Sequence, residues 1–364
     1  MKPTKIYLQY PWKFPDSPYY KYLIKSPPKG IEYLNVENQK GVITSKRFFW
    51  FSNFLKRNIR RTTTLLNLSI PNAHLSPKGN YDLIHCAHCL SKNTNKPWVA
   101  DIESVWSMWI SGMSTKTGKG DVEKIIMNPN CKKIMPWTKN TKKEILNFYP
   151  QLNNKIEVVY PAVPEIKNLR KKNNKKLKII FVARYFDIKG GRMALEVLDR
   201  LTKEYKIEGI VVSDVPQDLK DTYRKLNIMP LMQQEKLFDL MSSSDLFLYP
   251  SAVDTFGFSL LEAMAFGLPI ITINTKYTKS RPEIVQNGRM GLIFDVEEEV
   301  NYGKITSVEE NIIEKLVQNA EKLILNRKLR ERMSKNCLEE IKNGKFSIKE
   351  RNRKLKKIYE EVIK

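Results

Sequence analysis

The stretch 245–273 constrains the fold more than any other part of the chain. Asp245-Leu246-Phe247-Leu248-Tyr249-Pro250 is a short apolar run of strand formers ended by proline. Gly257 permits a sharp entry into 258–266, which reads as a short helix stopped by Gly267 and Pro269. Ile270-Ile271-Thr272-Ile273 supplies the next strand. A strand–helix–strand unit predicts a parallel sheet, and such sheets bind ligands beyond the carboxyl ends of their strands. Two acids fall at that edge, eight positions apart: Asp254 in the loop before the helix and Glu262 about one turn inside it. The helix amides near Gly257, Phe258 and Leu260 can hold a phosphate. The two carboxylates would repel a phosphate and are better suited to accept hydrogen bonds from hydroxyls. A ligand with a phosphate centre and hydroxyls on both sides is a nucleotide sugar.

A second segment supplies positive charge. Leu177-Lys178-Ile179-Ile180-Phe181-Val182-Ala183 reads as a strand, Arg184 follows it, and Lys189-Gly190-Gly191 precedes an amphipathic helix over 193–201. Arg184 and Lys189 can neutralise a diphosphate, which a departing nucleotide needs most in the transition state. Taken singly, each more often reads as a solvated loop residue of a lysine-rich chain.

Together these residues resemble glycosyltransferase family 4, the retaining enzymes of the GT-B fold. The strand–Arg–x4–Lys–Gly element corresponds to Arg184 through Gly190. The acid–x7–acid element corresponds to Asp254 and Glu262, with Phe256-Gly257 after the first acid and Glu-Ala-Met-Ala-x-Gly-x-Pro around the second. Pro282-Glu283-Ile284-Val285, Asn287-Gly288 and Gly291-Leu292-Ile293 resemble the next loop and strand. The resemblance covers roughly 155–300 well and the remainder loosely. It implies an α/β chain of two facing Rossmann-like domains with a cleft between them and a final helix crossing back to the first. It implies that Arg184 and Lys189 hold the diphosphate, Glu262 the ribose and Asp254 the transferred sugar, with Phe256, Gly257 and Phe258 completing the donor site. The expected reaction is hexosyl transfer (EC 2.4) from a nucleoside-diphosphate sugar to a hydroxyl acceptor, a glycan or lipid-linked molecule. No cofactor or metal is expected, because Arg184, Lys189 and the helix amino terminus can do the neutralising.

Three departures stand out. The first acid is Asp254 and not the usual glutamate, one methylene shorter. Thr278-Lys279-Ser280-Arg281 replaces the usual glycine pair, and Gln9-Tyr10-Pro11-Trp12-Lys13-Phe14-Pro15 stands where a glycine-rich loop is common. These leave open a sugar-nucleotide epimerase or a binding protein that transfers nothing.

In the amino-terminal half, strands are expected at Ile6-Tyr7-Leu8, Tyr81 to Cys86 and Trp98-Val99-Ala100. Glu103, six residues after Pro97, occupies the position of a family histidine near the acceptor. Glu103 can orient or deprotonate an acceptor hydroxyl, or cap a helix over 104–110. Asp101 is a weaker candidate for the acceptor role. His85-Cys86-Ala87-His88-Cys89 suggests a metal, but zinc needs about four ligands and alternate strand residues face opposite sides. His85 or His88 could instead line the cleft.

Length and composition fit domains at 1–164 (acceptor), 165–345 (donor) and a crossover helix at 346–364, with a lysine- and asparagine-rich linker after Pro161 and Pro164. The amino terminus leads straight into a strand, and four cysteines do not suggest a disulfide framework, so a cytoplasmic setting is expected. The net charge is +24. Residues 1–164 carry 25 basic and 10 acidic residues, a net of +15, and 38–81 contain no acid. Within that span, 46–61 interleaves Phe48, Phe49, Trp50, Phe51 and Phe54 with basic pairs, which suits peripheral contact with an anionic inner membrane face. The same composition would suit single-stranded nucleic acid, but no nucleic-acid module is recognisable and no specific nucleic acid is expected.

Overall fold

The structure is a computed structural model that describes residues 2–9, 18–36, 54, 58, 61–63, 65–66, 68–76, 78–92, 95–110, 116–166, 176–297 and 309–363. The chain forms two compact units, Met1–Ala162 with Ile348–Lys364, and Val163–Ser347. Most of the basic aromatic segment 46–61, the linker residues 167–175 and the loop 10–17 lie outside the described residues.

The first unit contains β1 (Thr4–Gln9), β2 (Ile31–Leu34), β3 (Ala73–His74), β4 (Leu83–Ala87), β5 (Leu90–Ser91), β6 (Trp98–Ile102) and β7 (Cys131–Pro136). Its main sheet has the order β2-β1-β4-β6-β7, parallel throughout. Strands β4 and β6 are buried at every position, as expected of parallel strands covered on both faces. Helices α1 (Pro18–Lys25), α2 (Lys116–Met127) and α3 (Lys139–Phe148) belong to this unit. So does the terminal helix Ile348–Ile363, which buries Arg351, Leu355, Ile358 and Tyr359. Leu355, Ile358 and Tyr359 recur at helical spacing, so one face of an otherwise charged helix has to be covered.

The helix expected over 104–110 is replaced by one 3-10 turn, Val105–Met108. The chain then straightens: Trp109 bridges Pro71 antiparallel, and Asn72 and Ile110 donate backbone hydrogen bonds to Met108 and Ile70. Pairing with a segment distant in sequence overrides the local helical pattern.

The second unit contains β8 (Leu177–Val182), β9 (Ile207–Val212), β10 (Asn227–Met229), β11 (Leu246–Tyr249), β12 (Ile270–Asn274) and β13 (Gly291–Asp295). Its helices are α4 (Gly191–Glu204), α5 (Gln217–Thr222), α6 (Gln234–Ser243), α7 (Phe258–Ala265), α8 (Arg281–Ile284), α9 (Glu310–Leu325) and α10 (Arg327–Lys342). The sheet order is β10-β9-β8-β11-β12-β13, again parallel. The chain winds outward from β8 through β9 to β10, then crosses to β11 and winds the other way. That reversal opens a crevice beyond the carboxyl ends of β8 and β11, the usual ligand position in such sheets. The core beneath it gathers Ile179 and Phe181 of β8, Leu195, Leu198 and Leu201 of α4, and Leu248 of β11.

Candidate active site

Two glycines bring the β8 and β11 loops together. Gly190 has φ +76°, and a Cβ there would lie 2.3 Å from the Pro250 carbonyl oxygen. Only glycine permits both the left-handed turn and this approach of the two loops. Gly257 has φ +93° and leads into α7, and a Cβ on it would lie 3.0 Å from Asp254 Oδ2. Both glycines are helix N-caps with no side-chain cap bond, at the starts of α4 and α7. The helix ends at this edge are thus of the kind that accommodates an anion.

The side chains at the crevice form one charged cluster. Lys189 Nζ lies 2.9 Å from Asp254 Oδ1 and donates to the Val253 carbonyl at 3.1 Å. Tyr249 Oη donates to Asp254 Oδ2 at 2.7 Å. Arg281 Nη2 faces the same oxygen at 3.8 Å, and its Cζ lies 5.4 Å from the Tyr249 ring centroid. The Asp254 side chain is 10% exposed. Burial alone would push its carboxyl up, but Lys189, Arg281 and the Tyr249 hydroxyl together hold it below the usual aspartate range. Tyr249 is pushed well up by its own burial and by Asp254.

The expected donor residues therefore take different places. Lys189 and Asp254 are in direct contact. Glu262 is half-buried in α7 and accepts from Gln234 Nε2 at 3.2 Å. Arg184 is exposed directly after β8. Phe258 is half-buried at the start of α7. Phe256 is 2% exposed and packs its ring against Phe258 and Phe346 at 5.3 and 6.3 Å, so its side chain supports the loop from within. Tyr249 and Arg281 were not among the expected residues. Tyr249 reads only as a strand residue, and Arg281 as one more cation in a basic chain.

The first unit carries a second polar constellation at the carboxyl ends of β4 and β6. Asp101 is 1% exposed. Its Oδ1 accepts from the His88 amide at 2.8 Å, and Oδ2 lies 3.5 Å from His85 Nε2. His85 Nδ1 shares a 2.7 Å hydrogen bond with Tyr359 Oη, which lies 3.1 Å from Tyr33 Oη. Burial opposes ionisation of Asp101, but His85, His88 and the Tyr19 hydroxyl outweigh it and lower its pKa. Asp101 is thus a buried internal acceptor, while His85 beside it ties the terminal helix to the sheet through Tyr359, and the expected place of Asp101 beside an acceptor is corrected.

Glu103 lies nearer the surface, 27% exposed, with Oε2 at 3.9 Å from His88 Nδ1. The N-cap of the following turn is Ser104, so Glu103 does not occupy the capping position. Its backbone carbonyl accepts from Thr141 Oγ1 at 3.0 Å, which ties the end of β6 to the start of α3. His88 is held at φ 54°, with its ring packed against Trp137 at 4.5 Å and Tyr20 at 5.4 Å. A non-glycine residue in this region costs about 1–3 kcal/mol and persists only where its surroundings fix it. Cys86 and Cys89 direct their thiols to Gln9, and the four cysteines are buried and form no disulfide. Among the described residues no group of three or more His, Cys, Asp or Glu is placed to hold a metal.

Comparison with known proteins agrees with this geometry. Residues 163–339 match the family glycosyl transferases group 1. The uncharacterized 41.2 kDa protein in the cps region of Klebsiella pneumoniae is 24% identical over 212 residues, 48% of this chain and 58% of that protein. N-acetyl-alpha-D-glucosaminyl L-malate synthase of Bacillus anthracis is 26% identical over 174 residues, 46% of this chain and 42% of that protein. The chain thus spans about half the length of the curated relatives it matches. The crystal structure of Anabaena Alr3699/HepE in complex with UDP-glucose is similar with a TM-score of 0.61 at 12% identity, covering 99% of this chain and 100% of that one. The family match spans residues 163–339 of the second unit, and with a parallel Rossmann-like sheet in each unit the chain has the GT-B fold.

Proposed function

We propose that this protein is a retaining glycosyltransferase that moves a hexosyl group from a nucleoside-diphosphate sugar to a hydroxyl acceptor. The observation that carries this reading is the contact between Lys189 and Asp254 at the reversal point of the second sheet, beside two glycine-capped helix ends. Lys189, Arg184 and the helix ends neutralise the diphosphate, most strongly as it departs. Asp254 accepts a hydroxyl of the transferred sugar, and Glu262 accepts the ribose hydroxyls. A departing phosphate that itself draws the acceptor proton needs no protein nucleophile. Retention of configuration rests on the family resemblance.

Thermal-shift titration against a panel of sugar nucleotides, with chelator present throughout, tests the donor and the metal-free reading together. The panel starts with UDP-glucose, the ligand in the Anabaena structure. A saturable stabilisation by at least one member is expected in chelator. Stabilisation that appears only on adding a divalent cation would overturn the metal-free part. Binding followed by epimerisation, or by no turnover with any hydroxyl acceptor, would replace transfer by the epimerase or binding reading.

On the first unit, Glu103 is the proposed acceptor-side residue, with His88 beside it. Glu103→Gln should lower kcat by about 10²–10⁴-fold, the usual contribution of a positioned acid or base, with nucleotide-sugar affinity unchanged. A kcat within a factor of two of wild type would remove Glu103 from the chemistry.

We further propose that the acceptor is a glycan or lipid-linked molecule and that 46–61 contacts an anionic membrane. The net charge of +15 over 1–164 supports this, as does Phe54, which is 60% exposed. No helix among the described residues is long and apolar enough to cross a membrane; the proposed contact is peripheral, at a cytoplasmic face. Phe49, Trp50 and Phe54 changed together to Ser should release the protein from phosphatidylserine vesicles while its melting temperature holds. Unfolding of the triple variant would show that these aromatics are core.

A further inference from the structure

Arg281 is among the largest fully buried side chains of the protein, 2% exposed, and the donor reading gives it no role. One face of its guanidinium is anchored to the ends of the sheet. Nη1 donates to the carbonyls of Ser251 and, at 2.8 Å, of Ile273, and lies 3.4 Å from Thr272 Oγ1. Its other side looks toward Asp254. Nη2 is 3.8 Å from Oδ2, while Nη2 and Nε have no hydrogen-bond acceptor in reach among the described residues. The negative charge that compensates this buried cation is Asp254, and an uncompensated buried charge is costly.

The two oxygens of Asp254 consequently have unlike neighbours. Oδ2 is held by Tyr249 and faced by Arg281, both buried and fixed by the sheet. Oδ1 meets Lys189, which is 20% exposed and sits on a flexible four-carbon stem. We propose that Arg281 is a positioning residue that, with Tyr249, holds Oδ2 permanently. Asp254 then stays in place when Lys189 moves to the donor diphosphate and leaves Oδ1 to accept a hydroxyl of the sugar. The inference rests on the donor reading of Lys189 and Asp254. It also accounts for the short acid: Asp254 is anchored from beneath and does not depend on reach.

A double-mutant cycle on the full chain tests it, using wild type, Arg281→Met, Asp254→Asn and the double variant. Each is titrated calorimetrically with UDP and with the sugar nucleotide selected by the panel, and kcat and KM are measured. Arg281→Met should bind UDP within about threefold of wild type, because the diphosphate is held by Lys189. Its kcat should fall by at least about tenfold, within the range of coupling between contacting charged groups. In the Asp254→Asn background the same change should cost nothing further in kcat and should raise the melting temperature, because it removes a buried cation that has lost its partner. Arg281→Lys should recover part of the lost kcat. Equal losses in both backgrounds, with no recovery by lysine, would show that Arg281 only stitches the loops together and would overturn the proposal alone. Should Arg281→Met fail to fold, Arg281→Gln keeps a donor for the carbonyls, removes the charge and carries the same expectation. Absence of any nucleotide binding by wild type would overturn the donor reading and this inference with it.

Discussion

Lys189→Ala is expected to lower kcat for sugar transfer by about 10²–10³-fold, the usual effect of removing one group that stabilises developing charge. The loss should appear in turnover more than in donor KM. A cation that neutralises a departing diphosphate is worth more in the transition state than in the bound ground state. Stability should fall by only about 1–3 kcal/mol. Asp254 loses one charge-assisted hydrogen bond but keeps Tyr249 and Arg281. Steady-state kinetics and a thermal melt of the same preparation separate the two effects. Near-normal turnover in a folded Lys189→Ala protein would remove the central support for the donor site.

Asp254→Asn should have the largest effect on stability. It strips the compensating charge from Arg281, and breaking a buried pair from one side costs about 3–5 kcal/mol. The pH dependence has a definite sign. The carboxyl of Asp254 is held below the ordinary value near 3.8 by Lys189 and Arg281 against its own burial. Its contribution is therefore complete above about pH 4 and is lost as pH falls through the lowered folded value. Denaturant titrations from pH 7 downward should show wild type and Asp254→Asn converging in the acid range. A constant gap down to pH 2 would mean that Asp254 acts through shape and not through charge. Asp101, lowered in the same direction within the first unit, belongs to the common background of both proteins.

Much of this was legible in the chain before its coordinates. The strands β8, β11 and β12 fall where apolar runs end in Arg184, Pro250 and Asn274, and α7 begins at the glycine that announces it. Local signals sufficed because each is written within a few consecutive residues. Lys189, Asp254 and Glu262 could be singled out for the same reason, as fixed spacings after strands, and the structure brings Lys189 and Asp254 into contact. Arg281 was not. Its burial depends on the loop 275–280 folding back so that the side chain meets carbonyls at positions 251 and 273. Nothing adjacent to Arg281 in sequence distinguishes it from the other basic residues. Asp101 was misplaced for a related reason. Its partners Tyr19, His85 and His88 come from a helix, a strand and the loop after that strand, well separated from it in sequence. The 104–110 segment went astray because Pro71 and its neighbours pair with it across about forty positions.

The terminal helix Ile348–Ile363 belongs to the first unit although the second unit lies between them in sequence. During synthesis, Val163–Ser347 is contiguous and can collapse as soon as it emerges. The earlier half must wait with the faces of β4 and β7 incomplete and His85 lacking the Tyr359 hydroxyl. Completion of the amino-terminal sheet therefore follows the emergence of the second unit. Deleting 348–363 should leave a protease-resistant fragment from the second unit beside a digestible first one.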